Sequence, residues 1–213
     1  MVVRVCERAA ASGARSVAVA TDDDRIRKAV EQQGYVALMT RAEHASGTDR
    51  IAEAAAVLRL ADEEVVVNVQ GAEPLIEPGL IREVAATLAA RREASMSTAC
   101  HPIHDEASLQ NPNVVKVVLD AHGYALYFSR SQIPYPQQST GIWYRHAGIY
   151  GYRVGFLRQL SQLATSPLEK TEALEQLRAL WHGYRIAVVV SKAGIPPGVD
   201  TLQDLEAVRT MFR

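Results

Sequence analysis

Short β-branched runs alternate with segments of helical period over most of this chain, and that alternation is the signature of βαβ units packed on a parallel or mixed sheet. Residues 2–12 read as a helix closed by Gly13, Ser16–Thr21 as a strand, Asp23–Gln33 as a helix ended by Gly34, and Tyr35–Met39 as a second strand. Thr48 is the expected N-cap of a helix reaching about Leu60. Val65–Val69 is apolar enough for a strand buried on both faces, and Pro78 suits the first turn of a helix ending near Ala90.

Beyond about Met96 the rhythm changes to an α+β one. Val114–Leu119 and Tyr124–Ser129 flank Asp120-Ala-His-Gly123, which reads as a hairpin turn. Ser166-Pro167-Leu168-Glu169 combines an N-cap, an N1 proline and a capping-box glutamate, so one helix is expected to run from there to about His182. Arg185–Ser191 reads as a strand, and Thr201 with Asp204 opens a C-terminal helix. The expected class is α/β.

With 48% hydrophobic and 22% charged residues over 213 positions, the chain is neither disordered nor fibrous. A net charge of -1 excludes the global positive field of a dedicated nucleic-acid binder. Apolar stretches fall well short of the roughly 18 residues of a membrane span, and the N-terminus lacks a signal peptide's apolar region, so a cytoplasmic protein without membrane insertion is expected. Cys6 and Cys100 have no metal-ligand spacing and are expected to be buried small hydrophobes.

The strand–turn Val65-Val-Val-Asn-Val-Gln-Gly-Ala-Glu-Pro74 places Asn68, Gln70, Gly71 and Glu73 at the carboxyl end of a strand, where open α/β sheets hold ligands; shaping of a turn by Gly71 and Pro74 explains the segment equally well. The loop Thr40–Arg50 carries Arg41, His44 and Arg50 before a helix N-terminus, more donors than capping requires and suited to an anionic or sugar group. His101 and His104 lack a third ligand and read as solvated loop residues. Arg145–Tyr152 alternates as a strand, putting His146, Gly148 and Tyr150 on one face, toward either a ligand or water. The helix after Ser166 buries Ala173, Leu174, Leu177, Leu180 and Trp181, which leaves Glu175 and Gln176 expected in solvent. Asp200, ahead of a helix, is placed either to complement that helix's N-terminus or to hold Mg²⁺.

Taken in order, the segments 41–50 (Arg-Ala-Glu-His-Ala-Ser-Gly-Thr-Asp-Arg), 67–71, 111–118, 123–130, 145–152, 174–178 and 198–201 resemble the CMP-Kdo synthetases (3-deoxy-manno-octulosonate cytidylyltransferases) over essentially the whole chain. The resemblance implies a three-layer, Rossmann-like nucleotidyltransferase mixed sheet with an α+β sugar-binding and dimerisation portion. It implies one domain, with 1–100 as the nucleotide-binding portion, 101–192 as the sugar-binding and dimerisation portion, and 193–213 completing the former. It further implies a cytoplasmic homodimer of lipopolysaccharide synthesis that uses Mg²⁺, CTP and Kdo to make CMP-Kdo and pyrophosphate. By the same resemblance Ser46, Gly47 and Thr48 line the cytidine, Arg50 sits near the phosphates or sugar, and Gln70, Arg130, His146, Tyr150, Glu175 and Gln176 surround Kdo. Asp200 matches the family's Mg²⁺ ligand, so Asp200 and Arg50 are the expected catalytic pair.

Two departures from the family pattern shape the expectation. The Gln-Gly-Asp-Glu-Pro motif has Ala72 in place of a second metal carboxylate, and a methyl group cannot ligate Mg²⁺. The family also opens with a strand and an Arg/Gly/Lys-rich loop around the CTP triphosphate, and this sequence begins after both. The sugar half of the pocket is therefore expected to be the better preserved, with the CTP and metal half weakened. A catalytically silent Kdo- or CMP-Kdo-binding partner, and a cytidylyltransferase for another acidic sugar, are the alternatives.

Overall fold

A computed structural model describes every residue except 45, 138–140, 193, 197, 200, 212 and 213. The chain divides into two compact units, the first built from residues 1–60, 68–82 and 196–213 and the second from 61–67 and 83–195.

In the first unit, α1 (Val2–Ala11) buries Val5 and Cys6 and is followed by β1 (Ala18–Thr21), α2 (Asp24–Glu31) and β2 (Val36–Met39). β1 and β2 pair in parallel, Ala18 opposite Val36 and Thr21 opposite Met39, as a βαβ unit requires. Asp23 caps α2 by accepting from the Arg25 N–H. α3 (Gly47–Val57) begins two residues earlier than expected: Ser46, not Thr48, is the N-cap, its hydroxyl accepting from the Asp49 N–H at 3.2 Å. Thr48 is instead buried within the first turn. A serine in extended backbone two residues upstream satisfies the orphan amide first, so the threonine falls within the helix.

β3 (Val65–Asn68), whose residues 65–67 belong to the second unit, pairs with a strand of that unit's sheet, and α4 (Pro78–Ala90) starts at the proline as expected. The second unit then holds β4 (Ala94–Pro102), α5 (Glu106–Gln110), β5 (Lys116–Leu119), β6 (Ala125–Ser129), β7 (Tyr144–Arg153) and α6 (Val154–Leu160). α7 (Pro167–Glu172), α8 (Gln176–Trp181) and β8 (Arg185–Val190) follow, and α9 (Leu202–Met211) returns to the first unit. The described strands order as β6-β5-β7-β4-β8, with β3 also on β7. β4 runs parallel to β8 and antiparallel to β7, and β5 runs antiparallel to β6 and β7, so the sheet is mixed, as expected.

The second unit departs further from the sequence reading. β4 was not foreseen: Ala-Ser-Met-Ser-Thr-Ala-Cys-His-Pro has little β-branched character, yet it is buried between two partner strands and their pairing decides its conformation. His101 is accordingly a strand residue and not a loop one. The single helix expected from Ser166 to His182 is broken at Ala173, which adopts the left-handed region at φ 51° and ψ 49° and ends α7. The break is stapled by Arg178 on α8, which donates to Glu169 on α7 at 2.5 and 2.8 Å, both side chains being largely buried. The same Glu169 closes the expected capping box with Ser166.

The core of the second unit gathers Val84 and Leu88 of α4, Met96 and Ala99 of β4, Phe128 of β6, Leu157 and Leu160 of α6, Leu177 of α8 and Ile186 of β8. Cys6 and Cys100 are buried, as expected, and burial pushes the Cys100 thiol up to about 12. The hairpin turn is present: Asp120 accepts from the N–H groups of His122 and Tyr124, and Gly123 takes φ 78°. Gly151 is a close-packing position, because a Cβ there would meet Ser97 Oγ at 2.5 Å and Val84 at 3.3 Å. Gly151→Ala should therefore destabilise the fold by about 1–3 kcal/mol, the usual cost of overpacking, seen as a lower denaturation midpoint at unchanged m-value in urea unfolding.

Candidate active site

The sequence-predicted residues fall in both units. Ser46, Gly47, Thr48, Arg50 and Gln70 belong to the first; Arg130, His146, Tyr150, Glu175 and Gln176 belong to the second. Asp200 lies outside the described residues.

In the first unit Ser46 and Gly47 open α3, whose eleven residues give its N-terminus the partial positive charge that suits an anion. Arg50 leans back from that helix and donates to Thr40 Oγ1 at 2.5 Å, to the Arg41 carbonyl at 3.3 Å and to Asp22 at 3.0 Å. The other donors of the loop converge on Glu53, which accepts from Arg41 and is hydrogen-bonded by His44; that bond is the largest cause holding its carboxyl below the usual range. Glu53 and Asp22 were not singled out from the sequence. Spacing along the chain does not show which carboxylate a loop arginine meets.

Gln70 is exposed in the turn after β3. That turn is tied to the start of the last segment: Val199 N–H donates to the Ala72 carbonyl at 2.8 Å, and a Cβ on Gly198 would come within 2.7 Å of a Glu73 carboxylate oxygen. Position 72 contributes only a methyl group, and the described residues hold no group of three His, Cys, Asp or Glu side chains fit to ligate a metal. A magnesium ion commonly takes one or two carboxylates and fills its remaining positions from phosphates and water.

The second unit's site is built on β7. Between Thr98 and Ala99 of β4 the pairing shifts, so that Tyr150 lies opposite Thr98 while Ala147 lies opposite Ala99. Two residues, Gly148 and Ile149, are thereby accommodated without changing the face of the flanking side chains. His146 and Tyr150 keep a common face, as expected from period two, with ring centroids 5.4 Å apart. Phe128 meets the His146 ring edge-on at 4.9 Å, and Tyr152 continues the row 6.0 Å from Tyr150.

Thr98, which the sequence did not single out, fixes the chemistry of this row. Its hydroxyl lies 2.7 Å from the Ile149 carbonyl, 3.2 Å from the Ala147 carbonyl and 2.9 Å from His146 Nε2; with its one proton assigned to the shortest of these contacts, it accepts from His146. That assigns the proton to Nε2 and leaves Nδ1 as an acceptor. Desolvation pushes His146 down to about 3 and raises Tyr150 well above its ordinary value, so both are neutral hydrogen-bonding groups near neutral pH.

Glu175 and Gln176 stand at the start of α8, which the break at Ala173 creates. The expectation that they are solvated is wrong. Gln176 is only 5% exposed, and its buried amide nitrogen has no hydrogen-bond partner among the described residues. Such an orphaned donor costs about 1–3 kcal/mol, so this position is built at the expense of stability. Glu175 adds to the upward push on Tyr150, which places its charge near the aromatic row.

Comparisons with known proteins bear directly on this geometry. The profile of the cytidylyltransferase family matches residues 1–186. A 3-deoxy-manno-octulosonate cytidylyltransferase of Verminephrobacter eiseniae (strain EF01-2) is 56% identical over all of this chain and 85% of its own length. That of Acidovorax sp. (strain JS42) is 54% identical over all of this chain and 87% of its own. The chain belongs to the 3-deoxy-manno-octulosonate cytidylyltransferase family. A solved CMP:2-keto-3-deoxy-manno-octonic acid synthetase complexed with CTP superposes with a TM-score of 0.93 at 40% identity, covering 99% of this chain and 86% of that one. Among the described residues of this cytidylyltransferase, no helix is long and apolar enough to cross a membrane.

The depressed His146 has a consequence for stability. Between its folded value of about 3 and its ordinary value of 6.5, the unfolded chain binds a proton that the folded chain does not, so this residue makes stability rise with pH across that window. His146→Gln should flatten the pH dependence of the urea midpoint between pH 4 and pH 6.5, roughly the span in which the unfolded imidazole protonates.

Proposed function

We propose that this chain transfers the cytidylyl group of CTP to a hydroxyl of 3-deoxy-manno-octulosonate, giving CMP-Kdo and pyrophosphate. The observation that carries this reading is the buried, unpartnered amide of Gln176, in the same unit as the neutral polar row of His146 and Tyr150. These donors and acceptors suit a polar ligand rich in oxygen. Family membership at 54–56% identity over the whole chain supports it.

In this reading the sugar acid meets Gln70, Arg130, His146, Tyr150, Glu175 and Gln176. Neutral His146 accepts a hydroxyl proton through Nδ1 in a hydrogen bond, and an uncharged Tyr150 donates. The nucleotide meets Ser46, Gly47 and Thr48 at the N-terminus of α3, and Arg50 faces its phosphates or the sugar. Mg²⁺ is the cofactor, held by Asp200, and when bound it neutralises charge on the triphosphate. Positioning of the hydroxyl in line with the α-phosphorus, and stabilisation of the charge that builds on the departing pyrophosphate, are the protein's contribution. We infer that the enzyme works in the cytoplasm, in lipopolysaccharide synthesis, as a homodimer.

Ala72 favours one second reading, a silent relative that binds Kdo or CMP-Kdo without turnover. Pyrophosphate release by the purified chain with CTP, Kdo and Mg²⁺ separates the two: turnover is expected, and Kdo binding without release would replace the first reading with the second. Gln176→Leu and His146→Ala should each raise the KM for Kdo by about tenfold, the size of one lost hydrogen bond, with the KM for CTP within about twofold. Ala72→Asp should tighten Mg²⁺-dependent CTP binding in calorimetric titration, since it adds a carboxylate where the turn meets Gly198 and Val199.

A further inference from the structure

The backbone of one residue, Arg130, is held at both ends by charged side chains. Its carbonyl accepts from the ammonium of Lys116 at 2.5 Å, and its N–H donates to a Glu172 carboxylate oxygen at 2.9 Å. Lys116 is fully buried, and its other two donors go to the carbonyls of Asn111 at 3.0 Å and Val114 at 2.6 Å. The second Glu172 oxygen accepts from Ser129 Oγ at 2.6 Å, which in turn accepts from the Ser131 N–H at 3.0 Å.

Burying a lysine is expensive. Replacing a buried charged group by an apolar one of similar volume is often neutral or stabilising, so such a group is weak evidence of a stabilising role. Here desolvation pushes the Lys116 ammonium down, against a smaller upward push from Glu172. What the arrangement secures is geometry: every hydrogen bond of Lys116 ends on a backbone carbonyl at the mouth of the β5–β6 ladder.

The guanidinium of Arg130 extends this network. Nε donates to the Glu172 carbonyl at 2.7 Å, Nη1 to the Pro112 carbonyl at 3.0 Å and Nη2 to the Ala173 carbonyl at 3.4 Å. Three of five guanidinium donors are spent on the backbone, which leaves one on each terminal nitrogen, the arrangement that meets a carboxylate through paired hydrogen bonds. Ala173 is the left-handed residue at which α7 ends, and Glu175 and Gln176 follow two and three residues later.

We propose that Lys116 and Glu172 are positioning residues, which clamp the Ser129–Arg130 corner and so set both the direction of the Arg130 guanidinium and the chain break that presents Gln176. This rests on the reading that the second unit receives the sugar acid. Neither residue touches the substrate; both act through Arg130.

The test uses the whole chain with Lys116→Met, with Glu172→Gln as a second variant that keeps the carbonyl oxygen should the first not fold. Two readouts are taken on each. The first, free of ligand, is the ¹⁵N signal and hydrogen exchange of the Arg130 Nε–H, which should exchange faster by about tenfold once its carbonyl clamp is lost. The second is calorimetric binding of Kdo, which should weaken by about tenfold, while CTP affinity stays within about twofold. Leu157→Ala, a buried apolar truncation in the same unit, supplies a comparison of similar instability and should leave both readouts at wild-type values. An unchanged Arg130 signal in folded variants overturns the clamp. A changed signal with unchanged Kdo binding overturns its role in recognition. Absence of Kdo binding by the wild-type chain overturns the functional reading itself, and with it this proposal's link to the sugar.

Discussion

One hydroxyl orders the second unit's site. Thr98 stands where the pairing of β4 with β7 slips, and its single proton goes to the Ile149 carbonyl inside the irregularity. That bond holds Gly148 and Ile149 in place, keeps His146 and Tyr150 on a common face, and decides which nitrogen of His146 carries hydrogen. β7 also pairs with β3 and β5, so a disturbance of this one contact reaches three neighbouring strands. The hydroxyl is fully buried and satisfied, the condition under which a buried polar group specifies structure and does not merely cost stability.

The second organising element is the break between α7 and α8. A left-handed alanine is unfavourable by itself, and it persists because Glu169 and Arg178 form a buried, two-bond ion pair across it. The capping box at Ser166 uses the same glutamate, so one carboxylate ends up fixing a helix start and a helix junction. The strain is local to the residues that lead into Glu175 and Gln176. Gln176 is held with an amide nitrogen that nothing in the described chain completes. Strain and an orphaned donor thus meet at one junction.

The features legible in the sequence were those settled by neighbours along the chain. The capping boxes at Ser166 and Thr201, the proline opening α4, and the Asp120–Gly123 turn depend on contacts a few residues apart, and all are present. The alternation of His146 and Tyr150 also survived, because the slip in β7 inserts two residues and so preserves parity. β4 was invisible: its serines, alanines and cysteine become a strand only because partners bury them on both edges. Trp181, read as core, is half-exposed, whereas Gln176, read as solvated, is buried. Both reversals have one cause, since a helix broken at Ala173 no longer carries a single apolar stripe from end to end.

By itself, then, the sequence determined the class of fold, the order of most elements, the family and the residue types available for recognition, because those follow from period, capping and motif. Only the tertiary structure decided what each group does. It committed three of the Arg130 donors to backbone carbonyls, turned Arg41 and His44 toward Glu53, assigned the His146 proton through Thr98, and buried Lys116 on three carbonyls. A side chain's protonation and its free hydrogen-bonding capacity are set by desolvation and by partners distant along the chain, and these exist only once the chain has folded.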